Sequence, residues 1–149
     1  MGTRYKGSLE EMRALSAFIN LMRAADSVAA RSHKHLSGKD LTLSQFGVLE
    51  ALLHCGPMTQ GELAGKLLRS CGSVTSVVDI LERRGLVDRE RSEEDRRLVR
   101  AKLTAEGYRL IKGIFPEHVR TVLRQFKVLT AAEQEALRRL CRKVGLGER

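Results

Sequence analysis

Three times in this 149-residue chain a threonine is followed, three positions later, by Gln or Glu: Thr42 with Gln45, Thr59 with Glu62 and Thr130 with Glu133. Each pair can satisfy two orphan helix amides reciprocally, so each marks the first turn of a helix. Ser70 and Thr104 offer the simpler form of the device, a hydroxyl that accepts from an amide in the first turn. Behind these caps the apolar residues keep a helical period. Phe46, Leu49, Leu52 and Leu53 follow the first box; Leu63, Ala64 and Leu67 follow the second; Leu137, Leu140, Cys141 and Val144 follow the third, where Cys141 reads as core. Val74, Val77, Val78 and Leu81 follow Ser70, and Gly85 ends their run. Ahead of them all, Leu9 to about Leu36 repeats the pattern through Met12, Leu15, Phe18, Ile19, Met22, Ala25 and Ala29. A chain punctuated in this way is a succession of helices joined by tight turns.

One interval breaks the pattern. Leu86 to Glu90 and Leu98 to Leu103 alternate partially and flank Arg91-Ser92-Glu93-Glu94-Asp95-Arg96-Arg97, which predicts a β-hairpin with a charged tip. Beyond it, Thr104 opens a helix that Pro116 should kink or break before it continues to about Lys127, because proline removes a donor and crowds the preceding turn. A short helix, a tight connection, a helix with a small polar first turn and a charged hairpin make a winged helix-turn-helix. The expected fold is therefore mainly α with a small β-hairpin wing: a single domain over 1–149, with the winged part at about 42–103. The flanking amphipathic helices, at about 8–36 and 105–145, are too long for so small a domain to cover and are expected to form a homodimer interface.

The charge then narrows the partner. A net +9 points to a polyanion. Only 4% of the residues are aromatic and Trp is absent, which disfavours single-strand binding by base stacking. Residues 59–103 hold 10 basic and 8 acidic side chains, so any reading function there rests on where individual charges point. Double-stranded DNA suits the order of elements: a helix N-terminus favours phosphate, the major groove admits one helix, and a hairpin tip reaches the neighbouring backbone or minor groove. Three cysteines at wide spacings suggest neither a disulfide framework nor a zinc site. Met1 to Ser8 lacks an apolar signal core, and no window is apolar enough to span a membrane, so a soluble, unprocessed cytoplasmic protein without membrane contact is expected.

Residues 59–107 resemble the multiple antibiotic resistance regulator (MarR) family of bacterial transcription factors. The resemblance lies in VVDILERRGLVDR at 77–89, in the wing Asp95-Arg96-Arg97 and in Leu103-Thr104-Ala105-Glu106-Gly107. Ser70 to Thr75 and Ile114 to His118 are similar to the branch that contains repressors of quinone and catechol detoxification genes. The resemblance implies an obligate dimer on palindromic operators, released by a small phenolic or aromatic ligand or by cysteine oxidation. It also implies that Arg97 enters the minor groove and that Asp95 orients it, with Arg96 a phosphate contact. On the recognition helix the candidate DNA contacts are Ser70, Gly72, Ser73, Thr75 and Ser76, with Asp79 on the same outward face. That face has no Arg, Asn or Gln in its first two turns, so DNA shape should carry much of the specificity.

Four further expectations concern single residues. Arg83 lies four residues after Asp79, so the two readings for it are an intrahelical ion pair and a DNA contact. Leu68 occupies a turn where the family usually has Gly, so either the turn differs or a left-handed leucine is tolerated at roughly 1–2 kcal/mol. Cys71, in the first turn of the recognition helix, is a candidate redox switch, because oxidation or alkylation there would set bulk against DNA; the chain would then be a thiol-sensing repressor. Met22, His54, Phe115 and His118 are the candidate ligand pocket.

No metal site and no cofactor are expected, since His33 and His35 do not share a helical face. Gly61 to Lys66 resembles a phosphate loop only superficially, with three residues between its glycines and Leu67 where Ser or Thr should follow, so an enzyme is not expected. A winged helix used only for protein contact is the remaining alternative, and it gives no reason for the Asp95-Arg96-Arg97 tip.

Overall fold

A computed structural model describes residues 4–147. Met1–Thr3 and the last two residues, which belong to the expected 1–149 domain and in the first case to the polar Met1–Ser8 stretch, lie outside the described residues. The elements are α1 (Leu9–Ser37), α2 (Leu43–Cys55), β1 (Met58–Thr59), α3 (Gln60–Leu67), α4 (Cys71–Arg83), β2 (Val87–Arg91), β3 (Val99–Leu103), α5 (Ala105–Phe126) and α6 (Ala131–Leu146).

All three expected capping boxes form. In the first, Gln45 N–H donates to Thr42 Oγ1 and Thr42 N–H donates to Gln45 Oε1, each at 3.1 Å. A fourth box, Ser8 with Glu11, starts α1. The strands make one antiparallel sheet in the order β1-β3-β2, with Met58 opposite Ala101 and Val87 opposite Leu103. The sequence indicated the hairpin but not β1, which is two residues long and too short to show alternation.

Helix α2 is the hub of the core and packs against α1, α3, α4, α5 and β3. Its Phe46, Val48, Leu49 and Leu52 are buried with Leu63 of α3, Val74, Val78 and Leu81 of α4, Val87 and Ala101 of the hairpin, and Ile111 and Ile114 of α5. Two expectations are corrected here. Pro116 does not break α5, which runs unbroken to Phe126. Pro116 is exposed, so the carbonyl deprived of its partner has access to solvent. Cys141 is exposed, not core, because no residue of α6 is buried within one chain. The α6 stripe of Leu137, Leu140 and Val144 stays open, as does Phe18 of α1 at 60% exposure.

The turn between α3 and α4 keeps its left-handed conformation despite the leucine. Leu68 has φ 51° and ψ 45°, and the following Arg69 N–H donates to Ala64 O at 3.0 Å. The side chain of Leu68 lies against Gly145 of α6, where an added Cβ would stand 2.9 Å from Leu68 Cδ1.

The junction after the hairpin is tighter still. Thr104 N–H donates to Leu86 O at 3.1 Å, Thr104 Oγ1 donates to Gly85 O at 2.7 Å, and Gly107 N–H donates to Thr104 Oγ1 at 3.0 Å. This seats Gly107 so closely on Leu86 that a Cβ would lie 1.9 Å from the Leu86 carbonyl oxygen. Gly107→Ala should therefore destabilise the fold by about 2–3 kcal/mol in urea unfolding at fixed protein concentration, in the range of overpacked sites. Gly72→Ala, where a Cβ meets nothing within 4 Å, should not destabilise it.

Candidate nucleic-acid interface

Helix α4 begins at Ser70, whose Oγ accepts from Ser73 N–H at 3.2 Å and donates to Ser73 Oγ at 2.9 Å. Cys71, Gly72, Ser73 and Ser76 are exposed and Thr75 is half-buried, so the first two turns present small polar groups and no charge. Thr75 Oγ1 sits 2.6 Å from Gln60 Oε1 and 2.8 Å from the Cys71 carbonyl, which ties this side of α4 to the start of α3. Ser76 Oγ donates to Gly72 O at 3.1 Å.

Asp79 does not pair with Arg83. Arg89, reaching from β2, places one guanidinium nitrogen on Asp79 and another on Glu82. Its guanidinium is pushed above its ordinary range; partial burial opposes this, but the two carboxylates prevail. The hairpin register that aims Arg89 at α4 is a long-range property, which is why helical spacing alone nominated Arg83. One bridging cation thus pairs with both acidic groups of the recognition helix and fixes the base of the wing to it.

At the wing tip the chain closes through Ser92 N–H donating to Leu98 O at 2.8 Å and Leu98 N–H donating to Asp95 O at 2.9 Å. Asp95 Oδ1 accepts from the Arg97 backbone N–H at 3.0 Å and from Arg97 Nε at 3.3 Å. The Arg97 side chain is 92% exposed, so the carboxylate sets its direction and leaves its terminal nitrogens free to contact another molecule. Arg96 is exposed beside it.

Of the four candidate pocket residues, three come together. His54 meets Phe115 edge-on at 4.8 Å between ring centroids, and Phe115 stacks towards His118 at 6.3 Å. Met22 does not join them: the α1 residue at this cluster is His35, 13 positions later and so about 20 Å further along the helix. Sequence reasoning missed both His35 and Phe46. His118 lies 4.3 Å from the Phe46 ring, and its Nδ1 is 3.3 Å from His35 Nε2. His35 Nδ1 is buried without a hydrogen-bond partner. His33 points elsewhere and lines a polar cleft with Asp40 and Arg84. Among the described residues no three metal-ligating side chains gather.

A family model for MarR matches residues 41–99, from just before α2 to the start of β3. The HTH-type transcriptional regulator MhqR of Bacillus subtilis (strain 168) is 36% identical over 134 residues, 90% of this chain and 92% of that protein. The structure of Bordetella bronchiseptica BpsR, described for regulation of its DNA binding by 6-hydroxynicotinic acid, aligns with a TM-score of 0.79 at 26% identity over 94% of this chain and 97% of that one. NadR in complex with 4-hydroxyphenylacetate aligns with a TM-score of 0.76 at 26% identity over 97% and 98%.

Arg89→Ala should cost about 1 kcal/mol of stability, whereas Arg83→Ala, which loses no carboxylate partner among the described residues, should cost close to nothing; paired urea denaturation curves read the difference. Burial, and then the neighbouring His35, hold the His118 imidazole below the ordinary histidine range. Between that lowered value and the ordinary one the unfolded chain binds more protons than the folded one, so stability falls as pH falls through this window. Melting temperatures between about pH 7.5 and pH 5.5 should drop, and the drop should shrink in His118→Gln.

Proposed function

The chain belongs to the MarR family of transcriptional regulators, and from that premise we infer that it is a cytoplasmic dimeric repressor of a palindromic operator, released by a small phenolic or aromatic ligand. Members of this family are regulators, not enzymes. The observation that carries the DNA reading is the pairing of two exposed features on one rigid frame. One is the small polar face of α4 from Ser70 to Ser76; the other is the wing tip whose Arg97 is aimed by Asp95. Gly72 allows close backbone approach, Ser73, Thr75 and Ser76 supply phosphate contacts and modest base readout, Arg96 meets a phosphate, and Arg97 enters the minor groove.

The open apolar residues Phe18, Leu140 and Val144 support a dimer built from the terminal helices, which would set two reading heads about 34–36 Å apart on two half-sites. Among the described residues no helix is long and apolar enough to cross a membrane. The ligand seat assigned to this function is the His54, Phe115 and His118 cluster, where α5 meets the reading head. Support for an aromatic effector comes from BpsR and NadR, whose structures are described with a hydroxylated aromatic acid as regulator or ligand. Exposure of Cys71 in the first turn of α4 favours a second reading, a thiol switch; hydrogen peroxide should then release DNA from the wild type and not from Cys71→Ser.

The direct test is binding to the duplex upstream of the protein's own gene by fluorescence anisotropy at several salt concentrations. Sequence-preferring, salt-sensitive binding is expected, and Arg97→Ala should weaken it and reduce the slope of log K against log salt by about one. Binding that neither prefers a sequence nor responds to salt would leave the winged helix as a protein-contact module.

A further inference from the structure

Gln60 is not among the contact residues that the sequence suggested, yet one side of the reading face is tied to it. It is the first residue of α3, the leading helix of the helix-turn-helix, and its half-buried side chain meets α4 at Thr75. Thr75 Oγ1 stands 2.6 Å from Gln60 Oε1. That separation is ordinary for O–H···O and shorter than N–H···O hydrogen bonds run, so the amide oxygen faces Thr75 and the hydroxyl hydrogen lies between them. A hydroxyl carries one hydrogen, and the Cys71 carbonyl, 2.8 Å away on the same helix, also draws on it. None is left for DNA, so the part of Thr75 in phosphate binding passes through Gln60. With its oxygen held in this way, the amide is fixed in orientation and its Nε2 carries two uncommitted hydrogens. Among the described residues that nitrogen has no hydrogen-bond partner.

The lock limits what this donor can recognise. Bidentate reading of adenine by an amide needs its oxygen as well as its nitrogen, and here the oxygen is taken by Thr75. What remains is a single oriented N–H donor, which suits an acceptor present at every step of the duplex, a phosphate oxygen. In a helix-turn-helix the first helix crosses the DNA backbone while the second enters the groove, so α3 is the helix that meets phosphate. We propose that Gln60 contacts DNA, its Nε2 donating to a backbone phosphate at the edge of the groove that α4 enters, with Thr75 as its positioning residue. The contact rests on the DNA-binding reading above and adds to it an uncharged anchor that sets the register of α4. A neutral donor displaces no counter-ion, so Gln60 acts on affinity without acting on salt dependence, which the wing arginines govern.

The test uses the full-length protein and the duplex upstream of its own gene, with fluorescence anisotropy at several salt concentrations. Gln60→Ala should weaken binding roughly tenfold, as for a hydrogen bond to a charged group, and leave the slope of log K against log salt at its wild-type value. Gln60→Glu keeps the oxygen that Thr75 holds but turns the donor into a negative oxygen, and should weaken binding further. Its melting temperature should not fall, because an acidic side chain in the first turn of α3 favours the helix. Thr75→Val should weaken the wild type and add nothing in the Gln60→Ala background, a non-additivity that a merely structural role would not produce. In a scan of single methylphosphonates across the duplex, one position should weaken the wild type and leave Gln60→Ala unaffected. Unchanged binding by Gln60→Ala and Gln60→Glu, a salt slope that falls in Gln60→Ala, or additive Gln60 and Thr75 effects would overturn the contact alone. Absence of sequence-preferring binding by the wild type would instead overturn the repressor reading, and the contact with it.

Discussion

The seating of Thr104 and Gly107 on Gly85 and Leu86 is the contact on which the geometry of the reading head depends. Gly85 follows the last turn of α4 and Leu86 leads into β2, while Thr104 begins α5. Two hydrogen bonds and one close approach therefore bring the end of the recognition helix, the base of the wing and the start of a terminal helix to a single point, and a third hydrogen bond caps α5 there. Only glycine at 107 lets α5 descend this far, and the cap on Thr104 gives α5 its direction. A change in the angle of α5 must be transmitted to α4 and the wing here, since packed contacts of this closeness cannot stretch.

Electrostatics then acts on a frame already fixed. The reading segment is nearly neutral because its charges cancel locally: Arg89 spans Asp79 and Glu82, Lys102 meets Glu90 across the hairpin, and Arg100 approaches Glu94. At the wing tip Arg97 is held by Asp95 and keeps its outer nitrogens exposed, with Arg96 exposed beside it, and Arg69 stands exposed before α4. The excess charge of the chain lies largely in its terminal segments, where it can attract a polyanion over distance without specifying a sequence.

The contrast between what was legible in the sequence and what was not follows the range of the interactions. Thr42, Thr59, Ser70, Thr104 and Thr130 announced their helices because a cap and its amide are three residues apart, and the hairpin announced itself through alternation around a charged tip. The order of these elements was enough for the fold. Helical spacing offers Asp79 the neighbouring Arg83, whereas its actual partner, Arg89, is aimed by strand register. His35 was set aside because only the packing of α1 on α5 brings it to His118, across 83 residues. Cys141 was read as core because an apolar stripe indicates that a helix face seeks a cover, not whether the same chain supplies it.

Leu68 shows how a local penalty can be tolerated. A left-handed leucine costs roughly 1–2 kcal/mol relative to the glycine that the turn would accept freely. Glycine there would have no side chain to lay against Gly145, whose lack of a Cβ is what admits Leu68 Cδ1 to α6. The turn that launches the recognition helix is therefore in contact with the last helix, just as the end of that helix is in contact with the start of α5. Both ends of α4 are tied to terminal helices, one through Leu68 and one through Gly107. A displacement of α5 or α6 would consequently meet α4 near both of its ends, at the packed junction on Gly107 and at the lighter contact of Leu68 with Gly145.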